Sequence, residues 1–329
     1  MNDISLSLVR TPFQLFNCIE ACKQFNNKGR NILICIYKND VDKKLYDSII
    51  DDSFWEKVYF YKLTFINKIL YSINLNKILI RYKNIKYCFF GLITSYIIHS
   101  INKINATENI LIDDGNETLL IANNLKKDEY IHKFKRNYVF TLLLKRCLSL
   151  NFLKKLEIFS FYDLTSFSLN NKIIKNEYIH FRKSINLLPM EKNIFFIGSN
   201  LINTYISREY FEKIIKNVLN YYSNYKITYI PHRYEDLEYL NALSIKLNFN
   251  IKKFSTILEL GILEYGKRPL GLISIRSSAL ETIGYLYNID FLNIIQIDTN
   301  MLLKEDQVLE YENLYINYKQ KNIELIKIV

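Results

Sequence analysis

Residues 4–37 read ISLSLVRTPFQLFNCIEACKQFNNKGRNILICIY, and this stretch decides the fold. Ile4 to Val9 is rich in β-formers and alternates loosely, so it reads as a strand ending at Arg10-Thr11-Pro12. Residues 13–24 place apolar side chains at helical spacing. Pro12 suits the first helical turn, where its missing N–H has no partner to lose. Asn31 to Tyr37 is a nearly continuous apolar run, the pattern of a strand covered on both faces of a parallel sheet. Asp40 to Ile49 follows as a helix and Trp55 to Tyr61 as a strand. This β-α-β-α-β order predicts a doubly wound α/β sheet.

The alternation continues along the chain. Tyr87 to His99 combines a strand and a helix start. Asn109 to Ile112 is an apolar strand running into Asp113-Asp114-Gly115. Residues 119–150 read as helical and basic, with Lys145, Arg146, Lys154 and Lys155 around Leu142, Leu143, Leu144 and Phe152. That pattern fits a helix lying on a membrane surface, and equally a solvated helix face. Asn186-Leu187-Leu188-Pro189-Met190 reads as a linker. A second series then begins. Asn193 to Ile197 ends at Gly198-Ser199-Asn200, and a helix spans Ser207 to Tyr222. Tyr225 to Ile230 ends at Pro231-His232, with residues 235–247 helical. Leu270 to Ile275 ends at Arg276-Ser277-Ser278, followed by a helix over 279–287. The expected organisation is two Rossmann-like domains, 1–185 and 186–329, facing a central cleft: the α/β architecture called GT-B.

The composition agrees with this reading. A chain of 329 residues, 49% hydrophobic, with only 8 Gly and 4 Pro, has material for two packed cores and little for long linkers. The formal charge of +11 draws anionic partners, whether nucleic acid, anionic lipid or phosphorylated small molecules. The Lys, Asn, Ile and Tyr content also fits an AT-rich genome. No zinc finger, RNP-type aromatic pattern or helix-turn-helix supports nucleic-acid binding. Cys18, Cys22, Cys35, Cys88 and Cys147 form no CxxC pair and sit in apolar surroundings, which points to buried free thiols in a reducing compartment. The first residues lack a secretory pattern. The longest apolar run, Tyr87 to His99, is short of the roughly 20 residues that span a bilayer. The expected location is the cytoplasm, with peripheral contact on the cytoplasmic face of the inner membrane left open.

Ligands of open α/β sheets bind beyond the carboxyl ends of the strands, and the polar residues of this chain gather there. Asp113 and Asp114 could hold a proton or a metal. Neighbouring strand side chains point to opposite faces, so one of the two should face the site. Asp-Gly is also a common turn pair. His232, next to Pro231, titrates near neutrality and could donate a proton to a leaving group. Ser278-Ala279-Leu280-Glu281 fits a capping box, which makes Ser278 an N-cap. The same helix end offers free N–H groups to a phosphate. Glu259, inside an apolar segment, could accept from ribose hydroxyls or stand exposed on a short helix.

The order and spacing of these groups carry more than any one of them. Glu259 follows His232 by 27 residues and precedes Ser277 by 18. Thr11-Pro12-x-Gln14, Asp113-Asp114-Gly115, the histidine motif and Ser277-Ser278 together resemble the bacterial sialyltransferases of glycosyltransferase family 52 and their polysialyltransferase relatives. The resemblance spans about positions 10–285. It departs at the histidine motif, where the usual His-Pro is Pro231-His232-Arg233. Arg233 adds charge near a phosphate there, or pairs with Glu235.

The resemblance implies a GT-B enzyme that moves sialic acid from CMP-sialic acid to a terminal galactose of a lipid-linked or capsular glycan, inverting and without a metal. The first domain would take the acceptor and the second the CMP-sugar. No cofactor beyond the donor is implied. Asp113 would be the general base, removable without unfolding the protein, with Asp114 supporting it. His232 would serve the departing phosphate, Ser277 and Ser278 would bind it, and Glu259 would hold the ribose. Gly198 and Ser199 would let the donor approach the backbone. Rival readings are transfer of another CMP-linked acid such as Kdo, and a non-catalytic nucleic-acid- or glycan-binding protein.

Overall fold

The computed structural model describes residues 3–127, 149–321 and 323–328. Cys147, His132, Lys145, Arg146 and the Leu142–Leu144 run lie outside them. The chain forms two compact units, Met1–Phe181 and Arg182–Val329.

The first unit alternates strands and helices: β1 (Ile4–Val9), α1 (Pro12–Phe25), β2 (Arg30–Tyr37), α2 (Asp40–Ile49), β3 (Lys57–Lys62), α3 (Phe65–Arg81), β4 (Ile85–Phe90), α4 (Ser95–Ile104), β5 (Glu108–Ile112), α5 (Asn116–Lys126), β6 (Glu157–Ser160) and β7 (Ile173–Lys175). Its sheet order is β3-β2-β1-β4-β5-β6-β7, and every pairing is parallel. Helices cover both faces, so the central strands are buried on both sides, the Ser5 and Ser7 of β1 included. Leu6, Leu8, Ile32, Ile34, Phe89 and Leu111 are all 0% exposed. Cys18, Cys22, Cys35 and Cys88 are buried free thiols, as expected for these four. The start of α1 follows its sequence: Pro12 sits in the first turn, and the Thr11 side chain accepts from the Gln14 N–H.

Helix α6 (Ile179–Ile185) carries the chain across the division between the units. The second unit then comprises β8 (Met190–Ile197), α7 (Arg208–Tyr221), β9 (Lys226–Ile230), α8 (Leu237–Leu247), β10 (Asn250–Ile251), α9 (Leu258–Tyr265), β11 (Arg268–Ser274), α10 (Ala279–Tyr287), β12 (Phe291–Ile295), α11 (Asp306–Gln320) and β13 (Glu324–Ile326). Its strands run β10-β9-β8-β11-β12-β13, again all parallel.

Numbered within each unit, both orders begin 3-2-1-4-5-6, the doubly wound Rossmann order. The strand order reverses between β1 and β4 in the first unit and between β8 and β11 in the second. The crevice outside the carboxyl ends of those strand pairs is where such sheets bind ligands. Among the described residues no helix is long and apolar enough to cross a membrane.

Candidate functional site

In the first unit the loop after β5 carries the two aspartates, and they part as strand alternation requires. Asp113 is fully buried. Its Oδ1 accepts from the Ser160 hydroxyl at 2.6 Å and its Oδ2 from the Phe161 N–H at 2.8 Å. Its carbonyl accepts from the Asn17 amide at 3.2 Å. Burial lifts its carboxyl to about 7 against the pull of those hydrogen bonds. Asp113 therefore fastens the end of β5 to the end of β6. Both its oxygens face inward and are occupied, which argues against the expected role of Asp113 as the base.

Asp114 is the aspartate with a partly exposed side chain. Its Oδ1 accepts from the Thr11 hydroxyl at 2.9 Å, and its N–H donates to the Thr118 hydroxyl at 2.9 Å. Burial raises its pKa, opposed by Gln14, Thr11 and the Arg10 charge. Gly115 turns the chain into α5 at φ +61°, a conformation that disfavours any residue with a Cβ. The Thr11-Pro12-x-Gln14 segment braces this corner. Thr11 both caps α1 and holds Asp114, while the Gln14 side-chain Oε1 accepts from the Arg10 N–H at 2.8 Å.

In the second unit the ends of β8, β9 and β11 bring Gly198, Ser199, Pro231, His232, Ser277 and Ser278 into neighbouring loops. Gly198 has a different reason from the expected one. A Cβ there would stand 2.3 Å from a Glu235 carboxylate oxygen and 2.7 Å from the Tyr229 hydroxyl, so the room is filled by protein. Ser199 is committed as well, its hydroxyl donating to the Arg276 carbonyl and tying the β8 loop to the β11 loop.

Glu235 was no candidate from sequence beyond a partner for Arg233, yet it organises the histidine loop. Its Oε1 accepts from the Tyr229 hydroxyl at 2.7 Å and its Oε2 from the His232 N–H at 2.6 Å. Burial lifts it to about 7. The Arg233 guanidinium lies 4.9 Å from the Tyr234 ring centre. The available signal was the spacing: a carboxylate three residues after a loop residue can reach back to its N–H, as in a capping box.

His232 is half-buried, and burial together with the Arg233 charge pulls its imidazole pKa below the usual value. The ring is thus neutral near pH 7. Its Nδ1 accepts from the Tyr234 N–H at 3.4 Å, which leaves the proton on Nε2 as a donor for a ligand. A phosphate monoester seated there should raise this pKa by favouring the charged ring. NMR titration of the imidazole with and without CMP checks this, and an unmoved pKa would separate His232 from the phosphate.

Ser278 occupies the N-cap position of α10 but does not cap. Its backbone is already helical (φ −69°, ψ −22°), it makes no side-chain cap bond, and Glu281, the expected capping-box partner, pairs with Lys321. This corrects the capping-box expectation and leaves the hydroxyl exposed and uncommitted. The Ser277 carbonyl accepts from the Leu280 N–H and the Tyr318 hydroxyl, both at 3.3 Å, while its own hydroxyl makes no hydrogen bond to another described residue.

Glu259 lies in the first turn of α9 and is 5% exposed, which rules out the exposed alternative. Burial lifts it to about 7, and its own N–H is the opposing influence. The Tyr287 hydroxyl donates to the Glu259 carbonyl, tying this turn to α10. No hydrogen bond joins the Glu259 carboxyl to another described residue.

No protein-family model matches the chain, and no curated protein matches it in sequence. Solved structures match the fold. Arabidopsis thaliana UGT89C1 complexed with UDP-L-rhamnose aligns with a TM-score of 0.54 at 10% identity, covering 98% of this chain and 84% of that one. UDP-GlcNAc 2-epimerase from Methanocaldococcus jannaschii aligns with a TM-score of 0.53 at 14% identity, covering 99% and 89%. The epimerase from Rickettsia bellii gives 0.50 at 12% identity, covering 91% and 80%. At these identities the likeness is one of architecture, and that architecture is the GT-B pair of Rossmann-like units.

Proposed function

We propose that this chain is an inverting, metal-independent glycosyltransferase that moves sialic acid from CMP-sialic acid to a hydroxyl of a bacterial surface glycan, with terminal galactose as the acceptor sugar. The first unit takes the acceptor and the second the donor. The work is done in the cytoplasm, at the inner face of the inner membrane, where a lipid-linked acceptor is presented.

One observation carries the reading: two uncommitted hydroxyls, Ser277 and Ser278, stand at the N-terminus of α10, beside the strand reversal of the second unit. A helix N-terminus with free N–H groups and hydroxyl donors suits a phosphate. The buried Glu259 carboxyl, which lacks a hydrogen-bond partner on another described residue, suits the hydroxyls of a ribose. A nucleoside monophosphate would satisfy both. UGT89C1 holds UDP-L-rhamnose and the two epimerases are named for UDP-GlcNAc, which supports a nucleotide-sugar donor in general.

In the proposed reaction Asp114 accepts the proton of the acceptor hydroxyl. That oxygen bonds to the anomeric carbon as the bond from carbon to the phosphate oxygen breaks. CMP leaves with the electron pair, its phosphate receiving hydrogen bonds from His232 Nε2–H, the α10 N–H groups and the two serines. Preorganised donors of this kind contribute about 3–4 kcal/mol each.

Thermal unfolding with CMP, UDP and GDP tests the donor. A ligand that binds only the folded chain adds about 2.7 kcal/mol at 100 times its Kd. CMP is expected to raise the Tm and the other two to leave it nearly unchanged. Selective stabilisation by UDP would overturn the donor assignment.

A further inference from the structure

Helix α3 turns an apolar stripe to solvent. Its inner side is set by Tyr71, Leu75 and Ile78, all buried. Ile73 and Ile80 stand on the opposite side, 51% and 73% exposed. Seven residues make nearly two helical turns, so the two isoleucines point the same way, with exposed Lys77 between them.

The charge around this stripe has one sign. The 17 residues of α3 include no acid. Lys77, Arg81 and the following Lys83 are exposed, and none of them makes an ion pair with another described residue. Glu56, which feels the Arg81 charge, is already paired with Arg30. The edge strand β3 extends the surface. Lys57, Tyr59 and Tyr61 share one of its faces by alternation, and the Tyr61 ring meets Tyr71 of α3 at 5.3 Å between centres. Lys57 is exposed and Tyr59 and Tyr61 are half-buried. Helix α11 offers a contrast. Its Leu309 and Ile316 are also seven apart and exposed, but the same helix carries Asp306, Glu310 and Glu312.

We infer that α3 and the adjoining face of β3 form a docking surface for an anionic lipid bilayer, with the helix lying along the headgroups. The isoleucines enter the boundary between headgroups and acyl chains, the tyrosines sit at headgroup level, and the cations meet lipid phosphates. A second copy of the chain fits less well, because a two-fold contact through this face would set its cations against their own equivalents. Nucleic acid would meet the cations and leave the isoleucines in water. The surface rests on exposure and charge, and on the transferase reading for its use, which is to hold the first unit beside a lipid-linked acceptor.

Co-sedimentation of the full chain with vesicles tests it, using phosphatidylcholine alone and equal parts of phosphatidylcholine and phosphatidylglycerol. The anionic vesicles should take up the chain about 10-fold or more strongly, and added salt should weaken that preference. Ile73→Gln with Ile80→Gln should cut binding to them by about 10-fold or more. Lys77→Glu with Lys83→Glu should cut it at least as far. All four side chains face solvent, so the Tm should stay as it is in both variants. Leu309→Gln with Ile316→Gln should bind as the unmodified chain does. Equal uptake by both kinds of vesicle, or full uptake after either pair of changes in the α3 surface, would overturn the surface. So would a dimer that Ile73→Gln with Ile80→Gln dissolves while vesicles go unbound, which gives the face to a second copy. Oligonucleotide binding that Lys77→Glu with Lys83→Glu abolishes, again without vesicle binding, would overturn it too. CMP stabilisation is measured in parallel. A chain that CMP stabilises but anionic vesicles ignore loses the surface and keeps the donor. A chain that ignores CMP yet binds anionic vesicles through α3 does the reverse.

Discussion

Asp114→Asn is expected to cut sugar transfer by about 10²–10⁴-fold, the usual contribution of acid–base catalysis, while leaving the Tm and CMP binding as they were. Asp113→Ala is expected to act through the fold. Its removal leaves the Ser160 hydroxyl and the Phe161 N–H without an acceptor inside the unit. Two orphaned buried donors cost about 1–3 kcal/mol each, partly offset by no longer burying a carboxyl, for a net loss of about 2–4 kcal/mol. The contrast comes from where each carboxylate points. Asp113 is 0% exposed with both oxygens held, whereas Asp114 is partly exposed and holds the Thr11 hydroxyl through Oδ1. Paired measurement of Tm and turnover separates the two residues. An Asp113→Ala protein with unchanged Tm and no transfer would return the base role to Asp113. Wild-type turnover in Asp114→Asn would remove Asp114 from the chemistry.

The strands covered on both faces were the most legible part of the fold. Runs such as Ile32 to Ile36 have no polar face to mislead the reading, and α1 declares its start through Thr11 and Pro12. Strands β6, β7 and β10 hold four, three and two residues, too few for any alternation to show. In the site, sequence located the loops but not the direction of their side chains. Alternation says that one aspartate turns inward; which one depends on Ser160, 47 positions away. The Ser278-x-x-Glu281 pattern is real, but Lys321, 40 positions on, takes the glutamate. Gly198 looks like room for a ligand until Glu235 is seen to fill it. In each case a distant partner competes with a local rule and wins, because a buried or paired carboxylate is worth more than a turn preference.

The protein is expected to lose stability as pH rises from about 4.5 to about 7.5, by several kcal/mol. Asp113, Glu235 and Glu259 are each lifted by burial to about 7 from ordinary values of 3.8, 4.5 and 4.5. The unfolded chain releases these protons at the ordinary values, while the folded chain keeps them to about 7. Between those limits the folded state binds more protons, so its stability falls as pH rises through the window. His99 and His232 run the other way. Burial lowers both, so the stability they contribute is present above their ordinary 6.5 and lost as pH falls. Their effect lies below about pH 6.5, where it offsets part of the loss from the three carboxyls. Glu259→Gln isolates one of them. The amide copies the protonated side chain and cannot ionise, so the variant should match the wild type near pH 3.5, exceed it by about 1 kcal/mol near pH 5.5 and by about 3 kcal/mol near pH 8, or several degrees in Tm. If Glu259 also holds the ribose, the same variant should bind CMP more weakly even where it is more stable, because an amide accepts a hydroxyl proton less strongly than a carboxylate. A Tm that stays level or climbs toward pH 8 in the wild type would show that these carboxyls ionise in the folded chain at ordinary pH. Their burial would then not govern the stability of either unit.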